Sequence, residues 1–216
     1  MNNKMTTLLF DLDGTLIDTN ELIYTSFQYT LDQYFPGQYT RETILPFFGP
    51  SLTDTFYGIN AEKAEEMITV YQTHNKEHHD RLVTIFPGVF ETIKKLKEDG
   101  YKLGVVTTKR TEVARMGLEL TNLTSFFDAF VAFEDVEKTK PDPESLFKAL
   151  EILDSRPEEA IMVGDNFHDI LAGKYAGMKT AGVSWTIKGV DYLKSYEPDY
   201  ILESMSDLID IAEGKR

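Results

Sequence analysis

The 216-residue chain contains no cysteine, which excludes disulfides, thiolate nucleophiles and thiolate-bound metal. Any chemistry it performs comes from oxygen, nitrogen and a metal that such atoms can hold. It also has no long apolar run. Residues 1–7 are polar and the apolar stretch after them ends at Asp11, too short for a signal-peptide core or a membrane span. Cytoplasmic residence is the expectation. Cations are scarce: 22 Lys plus Arg stand against 36 Asp plus Glu, for a formal charge of −14. That balance opposes binding to nucleic-acid backbones or anionic lipid, so neither nucleic acid nor membrane is an expected partner. An anionic substrate would feel the same repulsion unless local cations or a metal reverse the sign inside its site.

What is present is ordinary globular composition, 42% hydrophobic and 27% charged, without low-complexity tracts or repeats of solenoid period. The length fits one hydrophobic core with an insert. Residues 6–12 read as a buried strand entering an acidic, glycine-containing turn, and residues 18–34 as a helix with Asp18 as N-cap. Further strands are expected over 102–107, 127–133, 160–163 and 179–183, with helices such as 89–98 and 143–153 between them. This alternation predicts an α/β fold, a mostly parallel sheet with helices on both faces. Ligands of such folds bind beyond the carboxyl ends of the strands.

Asp11 and Thr107 both end strands yet lie 96 positions apart (107 minus 11), whereas a strand–helix–strand unit needs only about 30 residues. The surplus predicts a small helical cap over 18–82, with helical periodicity at 61–79 and no strand, inserted in a core of 1–17 and 83–216. Pro87 and Gly88 mark the return to the core.

Chemistry-bearing residues gather at the predicted strand ends. Asp11 and Asp13, separated by one residue, can flank one reacting centre, and Gly14 lets the backbone turn sharply beside them. Thr107 and Thr108 supply a hydroxyl and backbone amides, and Lys140 supplies a cation fixed before a helix; both suit a phosphoryl group. Asp165 ends another strand, with Asp169 four residues on and expected on the same helical face. This second acidic pair suits Mg²⁺, which takes oxygen ligands and keeps several waters. The Gly49-Pro50-Ser51 turn is a candidate to close over the site. Lys109 and Arg110 are candidates for a second phosphate.

In this order the motifs Asp11-Leu12-Asp13-Gly14-Thr15, Thr107, Lys140 and Gly164-Asp165-Asn166-Phe167-His168-Asp169 resemble those of the haloacid dehalogenase superfamily. The likeness spans the whole chain and, with the helical insert after the first motif, points to its phosphoglycolate phosphatase-like group. A narrower resemblance, to the inorganic pyrophosphatases of bacilli in that superfamily, rests on four stretches. They are Asp18-Thr19-Asn20-Glu21-Leu22-Ile23, Phe48-Gly49-Pro50-Ser51-Leu52, His78-His79-Asp80 and Gly182-Val183-Ser184-Trp185-Thr186. It implies Mg²⁺-dependent hydrolysis of pyrophosphate, including that released when a serine-phosphorylated phosphocarrier protein is dephosphorylated by phosphorolysis. Phosphoglycolate or another small phosphate ester is the alternative substrate.

The same resemblance implies Asp11 as nucleophile, Asp13 as general acid and base, and Thr107, Thr108 and Lys140 around the substrate, where Gly49 and Lys109 are the further candidates named above. Asp11, the Asp13 carbonyl, Asp165 and Asp169 are the implied metal site. Thr108 stands where the group often has Asn, and Asn166 where it often has Ser.

Two readings from other classes compete. His74-Asn75-Lys76-Glu77-His78 fits the His-x-x-Glu-His pattern of a zinc peptidase group, without an evident third ligand. Failing that role, His74, His78, His79 and Arg81 read as a solvated face of the cap or as a hinge-side contact to substrate. A phosphorylated receiver module also combines an acidic cluster, a hydroxyl and a Lys around Mg²⁺, but needs neither a hydrolytic base nor a lid.

Overall fold

A computed structural model describes residues 5–215; residues 1–4 and 216 of the expected core lie outside that range. Its strands are β1 (Thr7–Phe10), β2 (Ile17–Asp18), β3 (Thr84–Ile85), β4 (Lys102–Val106), β5 (Ala129–Val131), β6 (Ala160–Gly164), β7 (Lys179–Val183) and β8 (Tyr200–Leu202). Six of them form one sheet in the order β5-β4-β1-β6-β7-β8, and every pairing in it is parallel. β1 is buried at all four positions, as a central strand covered on both faces must be. Successive residues serve opposite faces: Leu8 and Phe10 join one apolar cluster with Leu103, Val105, Ile161 and Val163, while Leu9 joins the other with Val106 and Met162. That period-2 split makes a continuous apolar run compatible with a two-sided core.

The helices packed on this sheet are, after the four described next, α5 (Val89–Glu98), α6 (Thr111–Leu120), α7 (Glu144–Ile152), α8 (Phe167–Ala176), α9 (Val190–Lys194) and α10 (Asp207–Ala212). Between β2 and β3 lie α1 (Asn20–Tyr34), α2 (Arg41–Ile44), α3 (Leu52–Ile59) and α4 (Ala64–Leu82). They carry their own apolar cluster, centred on Phe27, Phe56, Met67 and Tyr71, with the Phe27 ring 4.7 Å from that of Tyr71. On α4, Met67, Tyr71, Asn75 and His79 are buried at four-residue spacing, one stripe of a 3.6-residue helix turned inward.

The sequence reading differs from the structure in five places. Residues 17–18 and 84–85 pair antiparallel as a short ribbon at the two ends of the helical segment, and β8 was not expected. Both are too short to leave an alternation pattern. The residue before α1 is Thr19. Asp18 instead ends the ribbon and accepts a hydrogen bond from the Asn20 amide at 3.0 Å. The strand expected over 127–133 is only Ala129–Val131, followed by a 3₁₀ turn over Phe133–Asp135. Asp165 precedes α8 rather than sharing its face with Asp169. Among the described residues no helix is long and apolar enough to cross a membrane.

Candidate active site

β1 sits where the strand order turns: β4 and β5 lie on one side of it and β6 to β8 on the other. The crevice beyond the carboxyl ends of such strands is the binding place of open α/β sheets. Asp11 follows β1, Thr107 follows β4 and Asp165 follows β6, so three adjacent strands deliver a carboxylate, a hydroxyl and a second carboxylate to one point. A cavity of about 230 Å³ opens there. Asp11, Asp13, Gly49, Thr107, Thr108, Lys109, Lys140, Asp165 and Asp169 all line it.

Lys140 is the centre of the charge arrangement. Its Nζ donates to Asp11 Oδ1 at 2.7 Å, to Asp169 Oδ1 at 2.6 Å and to the Val106 carbonyl at 2.8 Å. All three ammonium protons are thus used inside the protein, and Lys140 is 4% exposed. Burial alone would push its pKa down, but Asp11 and then Asp169 outweigh that and hold it above the ordinary lysine value. One cation does not balance the carboxylates around it. Oxygens of Asp11, Asp165 and Asp169 lie within 4.8 Å of one another. Burial, only partly offset by Lys140, raises the Asp11 carboxyl to about 7. Burial followed by the charges of Asp11 and Asp169 raises Asp165 well above the usual range. Three crowded carboxyls around one ammonium are a group whose oxygens could hold a hard divalent cation.

Backbone geometry makes the crowding possible. Gly14 has φ +79°, and a Cβ there would stand 2.5 Å from Asp165 Oδ2. Gly164 ends β6, where a Cβ would lie 2.3 Å from the Asp169 side chain. Asp169 Oδ2 accepts from the Asn166 amide at 3.0 Å, so one carboxylate both ties the start of α8 and faces Lys140.

Asp13 is bound by Lys109, whose Nζ lies 2.7 Å from its Oδ1, and Thr107 Oγ1 accepts from the Lys109 amide at 3.1 Å. Arg110, which also lines the cavity, pairs with Glu134 at 2.8 Å. Sequence reasoning missed Lys188, whose Nζ donates to the Phe48 carbonyl at 2.8 Å. It also missed His168, whose Nδ1 lies 2.9 Å from Asn166 Oδ1 and whose pKa burial depresses to about 4. Tyr71 and Asn75 of α4 line the same cavity. Their polar groups on the buried stripe of α4 were the available signal.

The histidines do not form a zinc site. His74 and His78 have ring centroids 4.3 Å apart, yet among the described residues the only group of three or more metal-capable side chains is Asp11, Asp165 and Asp169. His74 instead stacks on Tyr29 at 4.5 Å and contacts Ser26 Oγ at 3.1 Å. The expected solvated face fails at His79, which is fully buried at the end of the α4 stripe.

The family model described as haloacid dehalogenase-like hydrolase matches residues 8–183. Pyrophosphatase PpaX of Bacillus mycoides is 58% identical over 208 residues, 96% of this chain and 97% of that protein. Pyrophosphatase PpaX of Bacillus velezensis is 58% identical over 214 residues, 99% of each. Among solved structures, a haloacid dehalogenase-like family hydrolase of Streptococcus pneumoniae superposes with a TM-score of 0.85 at 26% identity, covering 96% of this chain and 98% of the other.

Proposed function

Since the chain belongs to the haloacid dehalogenase-like hydrolases, we propose that it is the enzyme that hydrolyses inorganic pyrophosphate with Mg²⁺ through an aspartyl-phosphate on Asp11. The observation that carries the chemistry is the Asp11 carboxylate at the end of the central strand, bonded to Lys140 and clustered with Asp165 and Asp169. The substrate is taken from the relatives named pyrophosphatase. Phosphorolysis of a serine-phosphorylated phosphocarrier protein is the proposed source of the pyrophosphate, and the cytoplasm the proposed setting. Membership in a hydrolase family removes the receiver module and the zinc peptidase as leading alternatives.

Residues 18–82 act as a cap on the core of 1–17 and 83–216. Asp11 attacks one phosphorus in line, and the bridging oxygen leaves with the second phosphate. Asp13 gives that oxygen a proton and then takes one from the water that cleaves the aspartyl-phosphate. The amide of Thr108 and the Thr107 hydroxyl receive the transferring phosphoryl oxygens, and Lys140 offsets their charge. The donor set fits Mg²⁺: Asp11, the Asp13 carbonyl, Asp165 and Asp169 supply only oxygen, and their crowding leaves negative charge uncompensated. Bound there, the ion supplies electrostatic neutralisation of substrate and carboxylates.

Removing and restoring the cation gives a check that does not depend on turnover. The raised Asp11 carboxyl binds its proton more tightly in the folded chain than in the unfolded one. Its stabilising contribution is therefore complete below the usual aspartate pKa of 3.8 and is lost as pH rises through about 7. Mg²⁺ competes with those protons. Its stabilisation is therefore expected to be small at pH 5.5 and to reach about 2.7 kcal/mol at a hundredfold excess over Kd at pH 8, read as a rise in Tm. An equal rise at both pH values would contradict the assignment of Asp11 and Asp165 as ligands.

Lys109→Ala is expected to raise KM for pyrophosphate roughly tenfold, the loss of one charge-assisted hydrogen bond to the second phosphate. Unchanged steady-state kinetics would remove that role and leave Lys109 as the partner of Asp13. A phosphate-release screen with Mg²⁺ over pyrophosphate, phosphoglycolate and an aryl phosphate tests the substrate. Comparable rates on all three would defeat the pyrophosphatase reading and leave the hydrolase. The second reading, a small organic phosphate ester, draws support from the apolar wall of the cavity, built from Ile23, Phe27, Ile68 and Phe133.

A further inference from the structure

Lys188 lies in the loop between β7 and α9, outside the reaction described above. Its bond to the Phe48 carbonyl at 2.8 Å is doubled by Asn166 Nδ2, which donates to the same oxygen at 3.0 Å. The next carbonyl, of Gly49, accepts from Thr108 Oγ1 at 3.0 Å. Three donors, from the loops after β4, β6 and β7, therefore hold two successive carbonyls of one turn between α2 and α3. The seat is close: Gly49 has φ +107°, and a Cβ there would stand 2.4 Å from Asn166 Nδ2.

A second contact runs through the neighbouring residue. The apolar cluster of the helical segment and the side chains packed against it come from residues between 23 and 71, except that among the described residues Ile187 also packs against it. Residues 187 and 188 thus give the helical segment an apolar and a charged anchor side by side.

Charge accounting separates Lys188 from the other cations of the site. Lys140 pairs with Asp11 and Asp169, Lys109 with Asp13 and Arg110 with Glu134. Among the described residues Lys188 has no carboxylate within ion-pair distance; its other neighbour is the Tyr192 ring, 5.3 Å from Nζ. A half-buried ammonium donating to a peptide carbonyl makes a strong, directional hydrogen bond, while its charge also acts at longer range on Asp165 and Asp169.

We propose that Lys188 is a positioning residue for hydrolysis, clamping the Phe48–Gly49 turn onto the strand ends so that the helical segment closes over Asp11 and shuts out bulk water. The proposal rests on the phosphohydrolase reading only for its kinetic consequence. Losing one charge-assisted bond lowers the ratio of closed to open molecules roughly ten- to a hundredfold.

Because the chain has no cysteine, two engineered ones label it uniquely. Tyr57→Cys and Tyr175→Cys, at positions 46% and 63% exposed, place spin labels on α3 and α8, and their separation is measured in the ligand-free protein by pulsed electron paramagnetic resonance. Lys188→Met is expected to move much of the population away from the separation seen in the structure, Lys188→Arg to keep it, and Ile187→Ala to move it as Lys188→Met does. In parallel, Lys188→Met lowers kcat/KM for pyrophosphate ten- to a hundredfold and Lys188→Arg restores it to within about threefold.

An unchanged distance distribution in Lys188→Met and Ile187→Ala overturns the clamp, whatever the kinetics. So does a wild-type protein with no population at the structure's separation. A rise in KM without a distance change would make Lys188 a substrate contact instead. A shifted distribution in a protein that does not turn over pyrophosphate would retain the clamp and reject the substrate.

Discussion

Asp11→Asn is expected to lower turnover by about 10⁴-fold or more, the scale on which removal of a covalent nucleophile acts, while the chain stays folded. The amide matches the carboxylate in size, and its oxygen can still accept from Lys140, so the packing at the end of β1 is kept. Stability in the metal-free state should not fall. Asp11 is one of three buried carboxyls whose oxygens lie within 4.8 Å, and burial already raises its pKa to about 7. Removing its charge relieves Asp165, on which Asp11 is the leading repulsive neighbour. Phosphate release, Tm without Mg²⁺, and trapping of phosphorylated protein from labelled substrate check the three parts. Turnover within tenfold of wild type would show that Asp11 is not the nucleophile.

Lys140→Met should damage both activity and fold. Its ammonium is buried with every proton donated, two of them to carboxylates 2.7 and 2.6 Å away, and methionine can make none of those bonds. Breaking a buried pair by removing one partner costs about 3–5 kcal/mol. For a chain of this size that corresponds to a Tm lower by roughly 6–20 °C. The loss should be greatest near pH 8 and shrink toward pH 5, because protonation of Asp11, whose carboxyl is raised to about 7, removes one of the charges that Lys140 opposes. A loss independent of pH would mean that Lys140 acts through packing. Turnover should fall about 10²- to 10³-fold, as when one preorganised donor to developing charge is removed. Lys140→Arg should not restore it. The three acceptors are arranged around a compact ammonium, and a planar guanidinium needs room that a residue 4% exposed does not have.

Most of the core could be read in the sequence because its signals are local. The strands over Lys102–Val106 and Lys179–Val183 and the helix over Val89–Glu98 are regular enough that apolar period and flanking turn residues define them. Asp11, Thr107 and Asp165 could be nominated because each stands just beyond a strand end, and parallel sheets put those ends on one side; Lys140 comes from the long loop between β5 and α7. The shared face expected of Asp165 and Asp169 was wrong, since the chain is still extended at Asn166. They meet because Gly164 carries no side chain to keep Asp169 away. His79 was read as solvated because a histidine is polar. Its position four residues after Asn75 on the buried stripe of α4 decided otherwise.

By itself the sequence determined which chemical groups exist and in what order they reach the strand ends: no thiol, a carboxylate pair at 11 and 13, a hydroxyl at 107, a lysine at 140 and a second acidic pair. Order along a chain is enough for that, because strand alternation fixes direction. The tertiary structure decided which charges are neutralised and which are spared. Lys140 serves Asp11 across 129 positions, and Lys109 serves Asp13 across 96. Lys188 serves a carbonyl across 140. Such pairings depend on distances set by the packing of whole strands and helices, and a Coulomb interaction reads separation in space, which no local pattern encodes.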